Sequence, residues 1–112
     1  MRILGIDPGS ETTGFGFIDT DGRRHQLVEY GSIRAARGAS FAERLLRIEE
    51  RLQQLIEKFR PDAVAVEEAF YAVNVKSALK LGHVRGVVLL VAARAGLPIF
   101  EYSPLEVKSA TV

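Results

Sequence analysis

The chain has 112 residues, 47% of them apolar, and its 15 lysines and arginines nearly balance 14 aspartates and glutamates. This composition predicts one soluble globular domain, and a net charge of +1 neither favours nor excludes nucleic acid as a partner. Because cysteine is absent, a disulfide scaffold, a thiolate metal site and a cysteine nucleophile are excluded, and the expected location is the reducing cytoplasm.

The first third of the chain predicts an antiparallel meander of three strands, at about residues 3–6, 14–19 and 27–33. The first run is apolar and β-branched, and it stops at the turn sequence Asp-Pro-Gly, which begins with Asp7. The turn signal Asp21-Gly22 separates the second strand from the third. Asp7 is therefore expected at the end of a buried strand.

Residues 41–59 predict an amphipathic helix followed by a buried strand. Ser40 and Glu43 have the spacing of a capping box, and apolar side chains follow at alternating spacings of four and three. A proline ends this helix, and the apolar strand 63–66 then leads directly to Glu67 and Glu68. Three arginines of the helix alternate with glutamates and are expected to face solvent: Arg44, Arg47 and Arg51.

A second long helix is predicted from a cap at Asn74 to about residue 95. Its first half places Lys76, Lys80 and His83 on one face, which indicates either a phosphate-contacting surface or a solvated one. Its second half, residues 87–93, is apolar all round, which predicts burial on more than one side, in the core or at a subunit interface. That run is too short to cross a bilayer, which needs ~20 residues.

The remaining residues predict a last strand at 97–102 and a further helix that begins at the capping box Ser103 to Glu106. The complete pattern indicates an α/β fold with a mixed five-stranded sheet flanked by helices. Three antiparallel strands come first, and two parallel strands then enter by right-handed crossovers. The chain is thus expected to be one domain over residues 1–112.

Two carboxylates are candidates for chemistry, because the strands that end at Asp7 and Glu67 are expected to be neighbours in this sheet. Converging carboxylates repel each other, so they either raise a pKa or bind a divalent cation, and oxygen ligands favour Mg²⁺ or Mn²⁺. The alternative is that each carboxylate only caps a turn, since Asp before Pro-Gly is ordinary turn chemistry. Glu68 is a second candidate beside Glu67.

Four segments, in the same order, resemble the RuvC family of Holliday-junction resolvases, whose fold is ribonuclease-H-like. Gly-Ile-Asp-Pro-Gly-Ser at 5–10, with Thr-Gly-Phe-Gly at 13–16, is similar to that family's first two strands and the turn between them. Val-Glu-Glu-Ala-Phe at 66–70 is similar to its second acidic motif. Residues 77–86 resemble its long helix, and residues 98–108 resemble its last strand and the basic helix after it.

The resemblance implies a metal-dependent endonuclease that cuts four-way DNA junctions in recombination and repair. It makes Asp7 and Glu67 the catalytic, metal-binding carboxylates of a site for two Mg²⁺ ions, with Mn²⁺ as a substitute. It also implies a homodimer and a branch-migration motor as partners. The resemblance suggests Phe70 and Lys108 as DNA contacts. Their positions beside the acidic motif or on the second long helix add Tyr71, Lys76, Lys80 and Arg85 as candidates.

Several of these assignments have alternatives. Phe70 either stacks on an unpaired junction base or folds into the core. Gly82 and Gly86 allow close approach of another backbone, which is either the sheet or a second subunit. Lys108 is favoured among the basic residues because it matches a basic family position near the active site.

The family has further acidic ligands beyond the match, so the chain is expected to be a fragment that lacks C-terminal helices. As an isolated chain it is expected to bind metal weakly and to leave one sheet face uncovered, with an exposed apolar patch. Two other functions compete. One is an inert junction-binding module, and the other is an actin-like ATPase, because the segment at 5–10 also resembles a phosphate-binding hairpin. No second Asp-x-Gly loop supports the ATPase.

Overall fold

The computed structural model of the chain describes residues 1–68 and 74–102. The strands are β1 (Arg2–Asp7), β2 (Thr13–Thr20), β3 (His25–Ile33), β4 (Ala63–Glu67) and β5 (Ile99–Tyr102), and the helices are α1 (Phe41–Phe59) and α2 (Val75–Arg94). All seven were predicted from the sequence, with ends that differ by at most two residues. The final helix predicted from Ser103 lies outside the described residues.

The five strands form one mixed sheet in the order β3-β2-β1-β4-β5. The first three strands pair antiparallel, whereas β1 pairs with β4, and β4 with β5, in parallel. The predicted α/β architecture is therefore confirmed. Since β1 and β4 are parallel neighbours, their carboxyl ends, and with them Asp7 and Glu67, meet at the same edge of the sheet.

Helix α1 begins and ends where its sequence predicts. The Ser40 hydroxyl accepts a hydrogen bond from the Glu43 backbone N–H at 3.1 Å, and the Glu43 carboxylate accepts one from the Ser40 N–H at 3.4 Å. Such reciprocal capping satisfies two N–H groups that have no partner inside the helix. At the other end, Arg60 takes a left-handed conformation with φ 48°, and its N–H bonds the Ile56 carbonyl at 2.8 Å.

The hydrophobic core lies between the two helices and one face of the sheet. Its fully buried side chains come from alternate strand positions and from the apolar sides of both helices: Leu4, Phe17, Leu52, Leu55, Val64, Val66, Val84 and Val88. Because side chains alternate across a strand, burial of Leu4 and Ile6 on the helix side sends Gly5 and Asp7 to the opposite face. The candidate carboxylates thus lie on the face that α1 and α2 do not cover.

That opposite face is rich in exposed apolar surface within the described residues. Large side chains on its strands are strongly exposed: Ile18 at 41%, Leu27 at 56%, Phe100 at 58% and Tyr30 at 71%. Strand pairing places them together, since Gly5 pairs with Gly16 and Gly16 with Tyr30. An exposed apolar patch was expected on one sheet face, and this is where the structure has it.

Within the single chain, helix α2 is buried on one side only, so the predicted burial of its apolar second half on a further side requires the subunit interface. Val88, Val91 and Ala92 are buried, but Leu90 is 53% exposed. Gly82 and Gly86 also point outward, because a Cβ at either position would meet no atom of the described chain within 4 Å. The apolar run therefore does not pack all round within one chain, and close packing of the glycines on the sheet is excluded. In the described part of the chain, neither helix has the length and apolarity to cross a membrane.

Candidate metal and DNA-binding site

Asp7 and Glu67 lie side by side at the exits of two parallel strands. Ile6 pairs with Val66 in the β1–β4 register, so the next residue on each strand is one of the two acids. Asp7 is close enough to Glu67 to act on the pKa of its carboxyl group. Asp7 is exposed and Glu67 is half-buried. The structure thus brings Asp7 and Glu67 together at one edge of the sheet, as the sequence predicted.

The pair is electrostatically unfavourable in the absence of a cation. The pKa of Glu67 is raised from its ordinary value by burial, by the hydrogen bond to Asp7 and by the charge of Asp7, in that order. Within residues 1–68 and 74–102, no third histidine or acidic side chain joins the pair to make a larger metal-binding group. Two hard oxygen donors that repel each other fit a divalent cation such as Mg²⁺, which binds through one or two carboxylates and keeps several waters.

Glu68 is directed elsewhere, although it follows Glu67 directly. Its carboxylate lies 3.9 Å from the Arg85 guanidinium on α2, and the same guanidinium donates a hydrogen bond to Glu101 of β5. Successive strand residues point to opposite faces, which explains why the adjacent acids separate. The structure therefore favours Glu67 over Glu68 as the partner of Asp7.

Arg85 was predicted to contact DNA, but the structure gives it another position. Its side chain is only 25% exposed, and it forms an ion pair with Glu101 while lying near Glu68. A guanidinium that is engaged by carboxylates is less available to a phosphate. Its observed contacts connect α2 to β5 and orient Glu68.

Tyr102 is a site residue that the sequence reasoning missed. It ends β5 in register with Glu67, and the Glu68 N–H bonds the Tyr102 carbonyl at 2.6 Å. The pKa of Tyr102 is raised by burial first and then by the charges of Glu67 and Asp7, so its phenol remains protonated beside the carboxylates. A signal was present, because the last residues of parallel neighbouring strands align.

The turn after β1 is built to hold Asp7 in place. The buried Thr13 hydroxyl donates a hydrogen bond to the Gly9 carbonyl at 3.1 Å and accepts one from the Gly9 N–H at 3.4 Å. A Cβ at position 9 would clash with the Thr12 carbonyl oxygen, so the turn needs glycine there. Two ends of one turn are thereby tied together by a single threonine.

The basic face of α2 is partly committed to packing. The Lys80 ammonium lies 5.8 Å from the centre of the Phe41 ring, and His83 packs edge-on against the same ring at 5.9 Å. These contacts join the first turn of α1 to α2 by cation–π and aromatic interactions. Lys76 is exposed and free of such contacts among the described residues. The remaining predicted DNA contacts, Phe70, Tyr71 and Lys108, lie outside the described residues.

Comparison with known proteins gives a consistent family match. The family model for crossover junction endodeoxyribonuclease RuvC matches residues 3–112. The RuvC protein of Acidobacterium capsulatum is 53% identical over 116 residues, covering 97% of this chain and 68% of its own length. That of Ruminiclostridium cellulolyticum is 46% identical over 112 residues, covering 100% of this chain and 68% of its own length. The chain therefore spans about two thirds of each of these relatives.

Among solved structures, the chain is similar to T. thermophilus RuvC in complex with a Holliday junction substrate. The TM-score is 0.91 at 35% sequence identity, and the match covers 98% of this chain and 70% of the other. A score this high over nearly the whole chain means that the sheet order and both helices correspond. The expected ribonuclease-H-like fold is thereby confirmed.

Proposed function

The chain belongs to the RuvC family of crossover junction endodeoxyribonucleases, and from that premise we propose that it resolves four-way DNA junctions by metal-dependent phosphodiester hydrolysis in recombination and repair. The observation that carries the proposal is the convergence of Asp7 and Glu67 at the ends of two neighbouring parallel strands, on the open sheet face. Two acids that only capped separate turns would not need to lie close enough for one to raise the pKa of the other. Residues 1–112 serve in this proposal as a single nuclease domain.

Asp7 and Glu67 are the proposed catalytic and metal-binding residues. Divalent cations held there, Mg²⁺ with Mn²⁺ as a substitute and two ions in the complete site, would supply Lewis-acid stabilisation of charge on the phosphate. The two carboxylates would hold those cations, and the turn that follows Asp7 is closed by the bonds between Thr13 and Gly9. A single general base increases the reaction rate by about 10²–10⁴-fold. Enzymes lower the activation free energy by ~8–23 kcal/mol, which is far more than such a base supplies, so the carboxylates need cations.

Contacts to DNA are proposed on both sides of the carboxylates. Lys76 and Lys80 lie near the start of α2, which follows the strand that ends at Glu67, and they are proposed to meet phosphates beside the cut. Phe70 and Tyr71 follow the acidic strand in the sequence and are proposed to meet unpaired junction bases, where stacking contributes ~1–3 kcal/mol per base. Lys108 is proposed as a further phosphate contact by its family position. Arg85 is proposed to position Glu68 and β5 instead.

We also propose a two-fold dimer through the exposed side of α2. Large apolar side chains are exposed along it, with Val75 at 77%, Leu79 at 60% and Leu90 at 53% exposure. Gly82 and Gly86 lie on the same side and leave room for close approach of a second helix. A two-fold dimer suits a four-way junction because it presents two equivalent active sites. Action in the cytoplasm with a branch-migration motor is proposed from the family alone.

The proposal is tested by nicking of a labelled four-way junction, with a linear duplex of the same sequence as the control substrate. The 112-residue chain is assayed beside a version that carries whatever residues follow Val112 in its reading frame, with and without Mg²⁺. Asp7→Asn and Glu67→Gln should abolish nicking. Glu68→Gln is the matched control, because it removes a neighbouring carboxylate that faces Arg85, and it should retain nicking.

Two results would overturn this assignment. Junction binding without cleavage by both versions in Mg²⁺ would leave a junction-binding module rather than an enzyme. Loss of nicking in Glu68→Gln but not in Glu67→Gln would show that the wrong carboxylate was chosen.

A further inference from the structure

A cavity of 410 Å³ opens beside the turn that follows β1. Its walls come from that turn, from the segment between β3 and α1, and from the first turns of α1. The lining includes Glu11, Thr12, Arg34, Arg37, Gly38 and Arg44. The sequence reasoning gave no role to this segment, and it assigned Arg44 to the solvent-facing side of α1.

Three arginines line this cavity, and none of them has an acidic partner among the residues that the structure describes. In the described ranges 1–68 and 74–102, the ion pairs within 4.0 Å involve Arg2 and Arg85, and none involves Arg34, Arg37 or Arg44. Glu11 is the acidic residue of the lining, so the lining carries two positive charges in excess. Planar guanidinium groups with several N–H donors match the geometry of phosphate oxygens.

The walls of the cavity are held in place before any ligand binds. The Arg44 guanidinium donates a hydrogen bond to the Ser10 carbonyl at 3.4 Å, which joins α1 to the turn after β1. The Ala39 N–H bonds the Ala36 carbonyl at 3.0 Å, and Gly38 turns the chain at φ +84°, a conformation that favours glycine. Because the backbone of these walls is already held, binding of an anion does not carry the cost of ordering a loop.

The cavity lies close to the candidate catalytic carboxylates. Glu11 is four residues after Asp7, so their Cα atoms are at most about 14 Å apart. One DNA strand carries a phosphate for every 3.4 Å of helix axis, so about four nucleotides span that distance. A phosphate bound beside this turn would therefore lie within a few nucleotides of the carboxylates along one DNA arm.

We propose that this cavity binds a backbone phosphate of the DNA arm, within about four nucleotides of the cut, through Arg34, Arg37 and Arg44. The proposal rests on the proposed nuclease function, and it adds a phosphate site between the turn after β1 and the segment that precedes α1. Its contribution is electrostatic and independent of base sequence. The site therefore fixes where the arm lies on the protein, and thereby which phosphate meets the carboxylates.

The test measures junction affinity against salt concentration by fluorescence anisotropy, without divalent cations and in an Asp7→Asn background, so that cleavage cannot interfere. The double variant Arg34→Gln and Arg37→Gln should reduce the slope of log affinity against log salt by about 1, which corresponds to about tenfold weaker binding at ~0.1 M salt. Glu11→Gln should change affinity in the opposite direction.

The matched control is the double variant Arg23→Gln and Arg24→Gln, which removes the same charge at the β2–β3 turn. That turn lies at the other end of β2, about 23 Å from Thr13. Its salt slope should match that of the parent protein. Arg34→Lys, which keeps the charge, should retain most of the slope, and circular dichroism should show the same fold for every variant.

The proposal would be overturned if the two double variants lost junction affinity equally. It would also be overturned if Arg34→Gln with Arg37→Gln left the salt dependence unchanged, and the cavity would then be assigned to another anion, such as an acidic peptide. Absence of junction binding by the parent protein would overturn it as well. The nuclease proposal is decided separately, by Mg²⁺-dependent nicking with Asp7 intact.

Discussion

Replacing Asp7 by asparagine should stabilise the metal-free protein and at the same time remove its stabilisation by Mg²⁺. Asp7 and Glu67 are neighbours at the ends of paired strands, and the charge of Asp7 raises the pKa of Glu67. Two like charges ~4 Å apart repel by about 1 kcal/mol in water and about 4 kcal/mol near a protein surface. Because Asp7 is exposed, screening by solvent favours the lower value, about 1 kcal/mol. For a chain of this size that corresponds to a melting temperature about 4 °C higher.

The pH dependence has a defined sign. The pKa of Glu67 is raised in the folded protein, so the folded state holds this proton more tightly than the unfolded state does. Stability that is present at and below the ordinary pKa of 4.5 is therefore lost as the pH rises through the folded-state pKa. Asp7→Asn removes two of the three causes of this shift, so the variant should lose less stability over that pH range, although burial of Glu67 remains.

Thermal unfolding followed by circular dichroism, in EDTA and then in increasing Mg²⁺, measures both effects. Mg²⁺ at ten times its Kd should stabilise the parent chain by about 1.4 kcal/mol and the variant by much less. Asp19→Asn is the matched control, because the pKa of Asp19 is lowered by its hydrogen bond to Arg2, and the variant should be less stable than the parent. If Asp7→Asn is also destabilised in EDTA, Asp7 is a structural cap and the reasoning fails.

Three further predictions concern the core, the turn and the dimer. Leu52→Ala, at a fully buried position, should lower the free energy of unfolding by about 2–5 kcal/mol in urea titrations. The dependence of that free energy on urea concentration should not change, and a loss below ~1 kcal/mol would mean that the core lies elsewhere. Thr13→Val should cost about 1–3 kcal/mol and slow nicking, because the Gly9 N–H and carbonyl lose their partner, whereas Thr13→Ser should preserve both properties. Leu90→Glu should convert a dimer to a monomer in light scattering, while Leu46→Glu, at an equally exposed leucine of α1 with 53% exposure, should not; equal effects would argue against a dimer through α2.

Local patterns in the sequence were sufficient to predict the seven elements and the division of the sheet into three antiparallel and two parallel strands. The capping box at Ser40 and Glu43, the proline that follows α1 and the apolar strand before Glu67 each act over a few residues, so their effect does not depend on the remainder of the chain. The meeting of Asp7 and Glu67 also followed from sequence, because parallel neighbouring strands end at the same edge.

Other properties depended on contacts between residues far apart in the chain. Arg85 meets Glu101 across sixteen residues and Arg44 meets Ser10 across thirty-four, and no local pattern reports which cations are paired and which surround a cavity. The same is true of Tyr102, whose position beside Glu67 comes from strand register. Sequence alone determined the elements and the identity of the acidic pair, because these depend on periodicity and on strand ends. Only the tertiary structure decided which face of α2 is open and which arginines of the described residues form ion pairs or line a cavity, because a charged side chain's partner is set by packing in three dimensions.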